Sequence, residues 1–392
     1  MDFELTPGQQ RLQKQIYAYL KEKVTPELEA ELDVLTDGEG PLFRRFLRQL
    51  GADGWMGIGW PKEFGGQGRT AIEQYIFLDA TLGYYRLPIP SLALETVGPT
   101  IMQVGSAEQQ RKFLPAILKG ELIIAICYTE PEAGTDAFSI RSTATKDGDH
   151  YIINGQKIFT SFGHYADYFW LSARTDPKAA KKHQGISIFM IDAKSPGITV
   201  EPQWVMGRYR VNQEFFDNVR VPRECLVGEE NQGSKYMVLQ LSRERQSMVC
   251  HSMQRRWIED VTRWATTARM NGTLVIERPW VKDKLAEMVV ENEVLRLLNY
   301  RVVWMLTQGK TTSAESATIK AFGTEVQQRA LRGCLEIMGH FGQLKQGSKW
   351  APLRGWMERQ SQMQLQTTFG GGTNEVLRDI VATMGLGLMK SR

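Results

Sequence analysis

The chain has 392 residues, of which 42% are hydrophobic and 23% charged, and its formal net charge is +4. This composition is that of an ordinary globular protein rather than a disordered or fibrous one, and the length predicts two or three domains. The small positive balance gives no reason to expect a nucleic-acid partner, and the four cysteines form no CxxC pair that would indicate a metal site.

The first part of the sequence has the period of amphipathic helices. Thr6 is a candidate N-cap and Pro7 a first helical residue, after which Leu12, Ile16 and Leu20 recur along one face. A second capped pattern, SAEQQRKFLPAILKGE, ends near residue 120. The first residues lack an apolar signal segment and no apolar run is long enough for a membrane span, so we expect a cytoplasmic protein without membrane insertion.

The middle of the chain changes to a strand period, and the last part returns to a helical one. Short β-rich runs such as YFWLSART and GISIFMID are separated by Gly, Pro and Asp turns. Long helical patterns follow at 234–271, 279–308, 314–341 and 372–386. We therefore expect an α+β protein with a helical domain at 1–120, a central β domain at 121–231 and a helical bundle at 232–392.

Five separated motifs then make a family resemblance specific. They are CYTEPEAGTD (127–136), YIINGQKIFTS (151–161), DNVRVPRECLVGEENQG (217–233), EIMGHFG (336–342) and GGGTNEVLRDIVA (370–382). In this order they resemble the acyl-CoA dehydrogenases over nearly the whole chain. The resemblance implies an N-terminal helical domain, a central β domain and a C-terminal four-helix bundle that hold FAD and usually form a tetramer. It also implies oxidation of an acyl-CoA to the trans-2-enoyl-CoA, with electrons passed to an electron-transfer flavoprotein.

The same resemblance assigns residues to the cofactor. The backbone near Tyr128 and the hydroxyl of Thr129 would meet the flavin ring, and Arg269 would reach the FAD pyrophosphate of a neighbouring subunit. Phe159 and Glu336 depart from the family, which usually has Trp and Gln there. The expected FAD residues are Ile126, Tyr128, Thr129, Gly134, Thr135, Phe159, Thr160, Ser161, Arg269, Glu336, Gly339, Thr373 and Glu375.

The residues by themselves leave simpler interpretations open. The segment 129–136 has the composition of a hydrogen-bonded turn between strands, and Phe159 has that of a core residue. Arg269 could owe its position to a preceding helix, whose dipole favours a cation at the C-terminal end.

The glycine run in TTFGGGTNEVLRD raises the question of the catalytic base. In many family members this segment carries a glutamate base, and its position falls on Gly371, which cannot remove a proton. A second family solution places the base one residue before an arginine on the helix after the β domain, where this chain has Glu244 and Arg245. The N–H of Gly371 would still bind the enolate oxygen. The expected substrate contacts are Thr135, Leu241, Arg245 and Gly372.

Helical geometry supports Glu244 independently of the resemblance. At about 100° per residue, Met237, Leu241, Glu244 and Met248 fall on one stripe, so a carboxylate interrupts an apolar face. No lysine or arginine stands three or four residues away in the sequence to form a helical ion pair. Burial on such a face would raise the pKa of the carboxyl group, which suits a base. The alternative is that Glu244 points to solvent or pairs with a distant arginine.

The sequence therefore predicts an FAD-dependent acyl-CoA dehydrogenase with Glu244 as the base. The motif combination looks most like the actinobacterial branch that acts on sterol side-chain CoA thioesters, so the assembly could be a homotetramer or a heterotetramer. Two other hypotheses remain: a non-catalytic partner subunit, which the altered Glu336 and the lost loop base suggest, and a flavin oxidase or monooxygenase on the same fold.

Overall fold

The computed structural model describes residues 3–35, 37–310 and 312–389, apart from the side chains at 242, 246 and 247. Helices form its N-terminal part because capped starts and apolar stripes recur there. They are α1 (Pro7–Lys23), α2 (Pro26–Val34), α3 (Pro41–Ala52), α4 (Ala71–Leu78), α5 (Gly98–Val104) and α6 (Ala107–Leu118). The predicted cap is confirmed, since Gln9 N donates to Thr6 Oγ1 at 3.3 Å. Between α4 and α5 the chain forms π-helical turns at Asp79–Tyr84 and Ala93–Val97.

Strands follow in the middle of the chain. They are β1 (Ile124–Cys127), β2 (Thr143–Asp147), β3 (His150–Thr160), β4 (Tyr168–Arg174), β5 (Ile186–Asp192), β6 (Ile198–Val205), β7 (Tyr209–Pro222) and β8 (Leu226–Val227). They form one sheet in the order β6-β7-β3-β2-β4-β5-β8, with β1 parallel to β4. The pairing of β3 with β7 is interrupted between Ile158 and Thr160.

The two faces of this sheet carry separate cores because side chains alternate along each strand. Trp170 and Ile188 face the N-terminal helices and join their large apolar cluster. Leu171 and Phe189, the next residues on the same strands, face the opposite way and pack with Val219 of β7. The β domain is thereby fixed on the N-terminal helices by one face.

The rest of the chain is again helical. Its elements are α7 (Gly233–Met248), α8 (His251–Ala265), the hairpin β9 (Arg269–Met270) and β10 (Thr273–Leu274), α9 (Pro279–Thr307), α10 (Ser313–Met338), α11 (Trp356–Met363) and α12 (Asn374–Ile380). Helices α8, α9 and α10 share a buried core that includes Trp257, Leu285 and Leu331. This arrangement of helices, sheet and helices confirms the predicted α+β fold class.

The helix predicted for 234–271 is wrong, because the structure divides it at Val249 and Cys250. The buried carboxylate of Asp79 accepts a hydrogen bond from Ser252 N at 3.0 Å and another from the Ser252 hydroxyl. Asp79 therefore supplies the acceptor that a continuous helix would have provided from its own backbone. No helix within the described ranges has both the length and the apolar character needed to cross a lipid bilayer.

Candidate active site

The glycine run lies directly against the last turn of α7. Gly371 has φ +67°, and a β-carbon on it would lie 2.6 Å from Met248 Sδ. A β-carbon on Gly372, at φ +101°, would lie 3.8 Å from Arg245 Nη2. Both the left-handed backbone and the contact with α7 therefore oppose a side chain at Gly371. Since Glu244 precedes Met248 by about one helical turn, the structure brings the glycine loop and the predicted base together.

Helix α10 holds the other side of this loop. Lys320 Nζ donates to Gly372 O at 2.7 Å and to Asn374 Oδ1 at 3.2 Å. The side-chain amide of Asn374 also donates to Thr324 Oγ1 at 3.0 Å. Thr373 caps α12 by accepting from Val376 N at 3.3 Å. Backbone, side-chain and cap contacts thus fix the glycine loop between α7, α10 and α12.

Glu244 is only partly buried by area, yet burial raises the pKa of its carboxyl group above the ordinary value. A side chain that is desolvated but still accessible faces a cleft rather than bulk water. The charges of Arg245 and Lys320 oppose the rise in the pKa of Glu244. The position combines the two properties that a carboxylate base needs, which are raised basicity and nearby cations that retain its charged form.

One wall of this cleft is a hydrogen-bonded set that joins the β domain to α7. Trp170 Nε1 donates to the Tyr128 hydroxyl at 2.9 Å and to Gln240 Oε1 at 3.0 Å, and the Tyr128 hydroxyl also donates to Gln240 Oε1. Burial raises the pKa of the Tyr128 hydroxyl, and the charge of Glu244 contributes to this rise. Tyr128 therefore lies beside Glu244 with its side chain turned to α7, so that only its main chain remains for a cofactor.

The segment that follows Tyr128 is a fixed turn with an open outer side. Thr129 O accepts from Ile158 N at 2.9 Å, and Glu130 pairs with Ala133 through their backbones. Gly134 and Thr135 are exposed, and no atom lies within 4 Å of a β-carbon placed on Gly134. The segment is thus the hydrogen-bonded turn of the simpler interpretation and also offers accessible backbone to a ligand.

Phe159 is not a core residue, so the simpler interpretation is wrong for it. It occupies the irregularity of β3 with φ +62°, and 54% of its surface is exposed. Thr160 points the other way, is buried, and donates to Glu214 Oε2 at 2.5 Å. Ser161 Oγ accepts from the Tyr209 hydroxyl at 3.0 Å, which leaves its own O–H available. Phe159 and Ser161 therefore offer side chains to a ligand, whereas Thr160 could contribute its backbone.

The three residues expected at the far end of FAD lie elsewhere in the chain. The prediction that Arg269 ends a long helix is wrong, because α8 ends at Ala265 and Arg269 lies in the β9–β10 hairpin, where Nη1 donates to Gly272 O at 2.8 Å. A β-carbon on Gly339 would lie 3.3 Å from Met270 Cε, so the β9–β10 hairpin contacts the C-terminal end of α10. Glu336 is exposed and lies 3.8 Å from Lys284 Nζ.

This second group is far from the glycine loop within one chain. Gly339 follows the last residue of α10, whereas Lys320, which binds the loop, lies near the beginning of that helix. At about 1.5 Å per residue, Lys320 and Gly339 are about 28 Å apart along the helix. A single chain therefore presents two separate parts of the expected cofactor site.

The other expected residues lie around the same cleft. Ile126 is half-buried and pairs with Trp170 in the sheet. Leu241 is half-buried on α7, and Glu375 is exposed at the start of α12, where its charge raises the pKa of Lys320. All three flank elements that meet at Glu244.

Three residues of the cleft were not predicted from the sequence: Lys320, Gln240 and Trp170. A usable signal existed for Lys320, because it stands on α10 between Ile319 and Ala321 at a buried position, as Glu244 interrupts an apolar stripe on α7. The contacts of Gln240 and Trp170 join residues 70 positions apart in the chain, and no local pattern reveals such a pair.

The side chains of the cleft fit an FAD ring and its polar edge. The hydroxyls of Thr129 and Thr135 have no hydrogen-bond partner among the described residues, and Ser161 retains a free donor. Phe159 adds an exposed apolar face beside them. An aromatic surface next to several hydroxyls and open backbone is the donor set that a flat heteroaromatic ring requires.

Comparison with known protein families gives three matches in chain order. The descriptions are "Acyl-CoA dehydrogenase, N-terminal domain" at residues 6–121, "Acyl-CoA dehydrogenase, middle domain" at 125–219 and "Acyl-CoA dehydrogenase, C-terminal domain" at 231–386. Together they cover most of the chain. The similarity therefore extends well beyond the motifs around the cleft.

Among curated proteins, the chain is 43% identical over 390 residues to acyl-CoA dehydrogenase FadE29 of Mycobacterium tuberculosis, covering 98% of each chain. It is 40% identical to acyl-CoA dehydrogenase FadE26 of the same organism, covering 100% of both.

Two solved structures are similar over their full length. The Tcur3481-Tcur3483 steroid ACAD superposes with a TM-score of 0.93 at 41% identity, and the ChsE4-ChsE5 complex from Mycobacterium tuberculosis with 0.92 at 40%, each covering 100% of both chains. The chain thus belongs to the acyl-CoA dehydrogenase family, whose members are FAD-binding oxidoreductases that act on acyl-CoA.

Proposed function

We propose that this chain removes the α proton of an acyl-CoA with Glu244 and yields the trans-2-enoyl-CoA. The observation that carries the proposal is the contact of the glycine loop with α7, where a side chain on Gly371 would meet Met248 Sδ at 2.6 Å. The loop thus has no room for the base that many relatives carry there. A carboxylate one helical turn away, Glu244, takes this role.

The chemistry at the acyl group is divided between α7 and the loop. The Glu244 carboxylate accepts the α proton, for which the raised pKa of this group gives it greater basicity. The N–H of Gly371 donates to the thioester oxygen, where negative charge develops as the proton leaves. FAD, when bound, would supply the acceptor for the hydride that leaves the β-carbon. Thr135, Leu241, Arg245 and Gly372 line the path of the thioester around this centre.

The cofactor would be held by two chains. The flavin and its ribityl side would lie against a surface that this chain builds from β1, the end of β3, the loop after Tyr128 and the start of α12. The residues are Ile126, Tyr128, Thr129, Gly134, Thr135, Phe159, Thr160, Ser161, Thr373 and Glu375. The group at the other end of α10, Arg269, Glu336 and Gly339, would meet the pyrophosphate and adenosine of a neighbouring chain's FAD. The separation of about 28 Å along α10 supports this division.

We further propose that the acyl group is a sterol side chain and that the assembly is a tetramer with a second type of chain. Two similar structures are named as a steroid ACAD with two components and as a two-component complex. Electrons would leave the flavin to an electron-transfer flavoprotein.

A second candidate is a partner subunit that supports FAD without using Glu244. The observation that favours it is Glu336, whose exposed carboxylate would place negative charge beside a pyrophosphate. In that case the catalytic base would belong to the other chain of the assembly.

One experiment separates these candidates. The chain is purified alone and with the product of a neighbouring gene, the FAD content per chain is measured, and acyl-CoA thioesters from short chains to steroid side chains are mixed with it without oxygen. The proposal predicts bleaching of the flavin that Glu244→Ala abolishes and Glu201→Ala, at an exposed position on β6, leaves intact. Bleaching that survives Glu244→Ala would support the partner-subunit candidate, and rapid peroxide formation would instead identify an oxidase.

A further inference from the structure

Lys320 is a fully buried lysine in the proposed active site, and no step described above uses it. Its side chain has no exposed surface. The ammonium group donates to Gly372 O at 2.7 Å and to Asn374 Oδ1 at 3.2 Å. Both acceptors are neutral, so they satisfy donors without balancing the charge. A buried ammonium group is costly unless nearby charges compensate it, which directs attention to the ionised neighbours of Lys320.

Those neighbours come from the two other elements that pack on this part of α10. Glu244 and Arg245 face Lys320 from α7, and Glu375 faces it from α12. Burial, and to a lesser extent the charge of Arg245, lower the pKa of the Lys320 ammonium group, while the two glutamates raise it; the net result is a pKa of about 8. Lys320 in turn opposes the effect of burial on the pKa of Glu244. One cation therefore contacts the glycine loop and acts on the base.

We propose that Lys320 is a positioning residue for the dehydrogenation, which holds the Gly372 carbonyl and with it the glycine loop that carries the Gly371 N–H, and whose charge keeps Glu244 in the carboxylate form. The inference rests on the proposed role of Glu244. It adds a residue on a third element, α10, to a site built from α7 and the loop.

The residues around Lys320 allow its hydrogen bond to the glycine loop to be tested separately from the effect of its charge on Glu244. Asn374 and Thr324 hold the same loop through neutral groups, since Asn374 Nδ2 donates to Thr324 Oγ1 at 3.0 Å. Loss of the Thr324 hydroxyl would loosen the loop and leave the ammonium group in place. Lys320→Gln would do the opposite, because it keeps an N–H donor near the Gly372 carbonyl and removes the charge.

The test compares Lys320→Met, Lys320→Gln, Thr324→Val and the wild type, each in the assembly that binds FAD. The rate of anaerobic flavin bleaching at saturating acyl-CoA is measured against pH. Removal of a cation near a carboxylate raises the carboxylate pKa, so both Lys320 variants should move the acid limb to higher pH by about one unit or more. Thr324→Val should lower the maximal bleaching rate and leave the pH of the acid limb unchanged. The maximal bleaching rate of Lys320→Gln should remain higher than that of Lys320→Met.

A second readout uses the FAD-free protein and does not depend on turnover. The folded chain, in which the pKa of Lys320 is lowered to about 8, releases this proton before the unfolded chain does. The unfolded state thus binds more protons between about pH 8 and 10.4, and this contribution to stability rises with pH across that window. The melting temperature of Lys320→Met relative to the wild type should therefore fall as pH rises from 8 to about 10.

The outcomes distinguish this inference from the proposed function. If Glu244→Ala bleaches like the wild type, the assignment of the base fails. If Glu244→Ala does not bleach the flavin and the acid limb of Lys320→Gln coincides with that of the wild type, the role of Lys320 is overturned and the assignment of Glu244 as the base is kept. A shift of equal size in Thr324→Val would also overturn it, because the effect would then come from loop order. Should Lys320→Met not fold, Lys320→Gln carries both measurements.

Discussion

Met248 occupies the space that a side chain on Gly371 would need, since its Sδ lies 2.6 Å from the position of a β-carbon there. Gly371→Ala should therefore destabilise the protein by about 2–4 kcal/mol, the sum of a left-handed backbone cost and overpacking. The free energy of unfolding in urea measures this loss.

Two further variants identify the source of that destabilisation. Gly148→Ala has a similar backbone angle, φ +62°, and no atom within 4 Å of the new β-carbon, so it should lose only the backbone part, about 1 kcal/mol. Gly371→Ala combined with Met248→Ala should lose less than the sum of the two single changes. Strict additivity would mean that Met248 does not restrict the loop.

The broad architecture could be predicted from the sequence because each segment obeys local rules. The α1 cap, the change to a strand period and the helical C-terminal part are all determined by neighbouring residues. The break between Met248 and His251 was missed because its cause, the Asp79 carboxylate, lies over 170 positions earlier in the chain. A long-range acceptor overrode a locally continuous helical pattern.

The site shows the same division between local and distant causes. Glu244 could be singled out because it interrupts its own apolar stripe. Of the two cations that lower its pKa, only one could be identified from the sequence. Arg245 is adjacent in sequence, but Lys320 reaches the loop only through the packing of α10 against α7 and α12. For Phe159, a core position remained open beside the expected contact with FAD, because composition does not reveal a left-handed position that turns a side chain outward.

The pH dependence of the reaction should report on Arg245. The rate of flavin bleaching requires the carboxylate form of Glu244, whose pKa is raised by burial, so activity should fall on acidification at a pH above the ordinary range of glutamate. Arg245→Met removes a cation that opposes this rise and should move the acid limb to still higher pH. Arg243→Met is the matched control, because the charge of Arg243 faces Glu95 instead. If the acid limb of the pH–rate profile lay at the same pH in Arg245→Met and Arg243→Met, the effect of Arg245 on the pKa of Glu244 would be refuted.

The set formed by Tyr128, Trp170 and Gln240 should stabilise the junction of the β domain with α7. Gln240→Leu leaves the buried Tyr128 hydroxyl without its acceptor and should lower the free energy of unfolding by about 1–3 kcal/mol. Tyr128→Phe removes the donor instead. A double-mutant cycle in urea should give a coupling of at least about 0.5 kcal/mol. A coupling near zero would mean that the two side chains do not depend on each other.

Phe159 should matter for FAD and little for the fold. Its side chain is 54% exposed, so Phe159→Ala should change the unfolding free energy of the FAD-free protein by less than about 0.5 kcal/mol. Loss of an aromatic surface that the cofactor covers should weaken FAD binding by about tenfold or more. Titration of the FAD-free protein measures the affinity. Trp350→Ala, at another exposed aromatic residue, should leave it unchanged.

Asp79 should stabilise the start of α8 in a pH-dependent way. Burial raises its pKa, but the charge of His251 at 3.1 Å and hydrogen bonds from Ser252 lower it below the ordinary value overall. A lowered pKa in the folded state gives stability that is present above the unfolded pKa, near 3.9, and is lost as pH falls through the folded one.

Asp79→Asn should cost about 3 kcal/mol near neutral pH, because it leaves a buried histidine without its charged partner. The difference between the wild type and Asp79→Asn should shrink as the pH falls below about 4, because protonation then removes the advantage of the wild-type carboxylate. Asp147→Asn is the control: this carboxylate pairs with Arg220 on the surface, where its side chain is 56% exposed, so the change should cost less than about 1 kcal/mol. Urea unfolding at several pH values measures all three proteins. An equally large loss in Asp147→Asn would show that charge number, rather than the buried contact at the start of α8, controls the acid sensitivity.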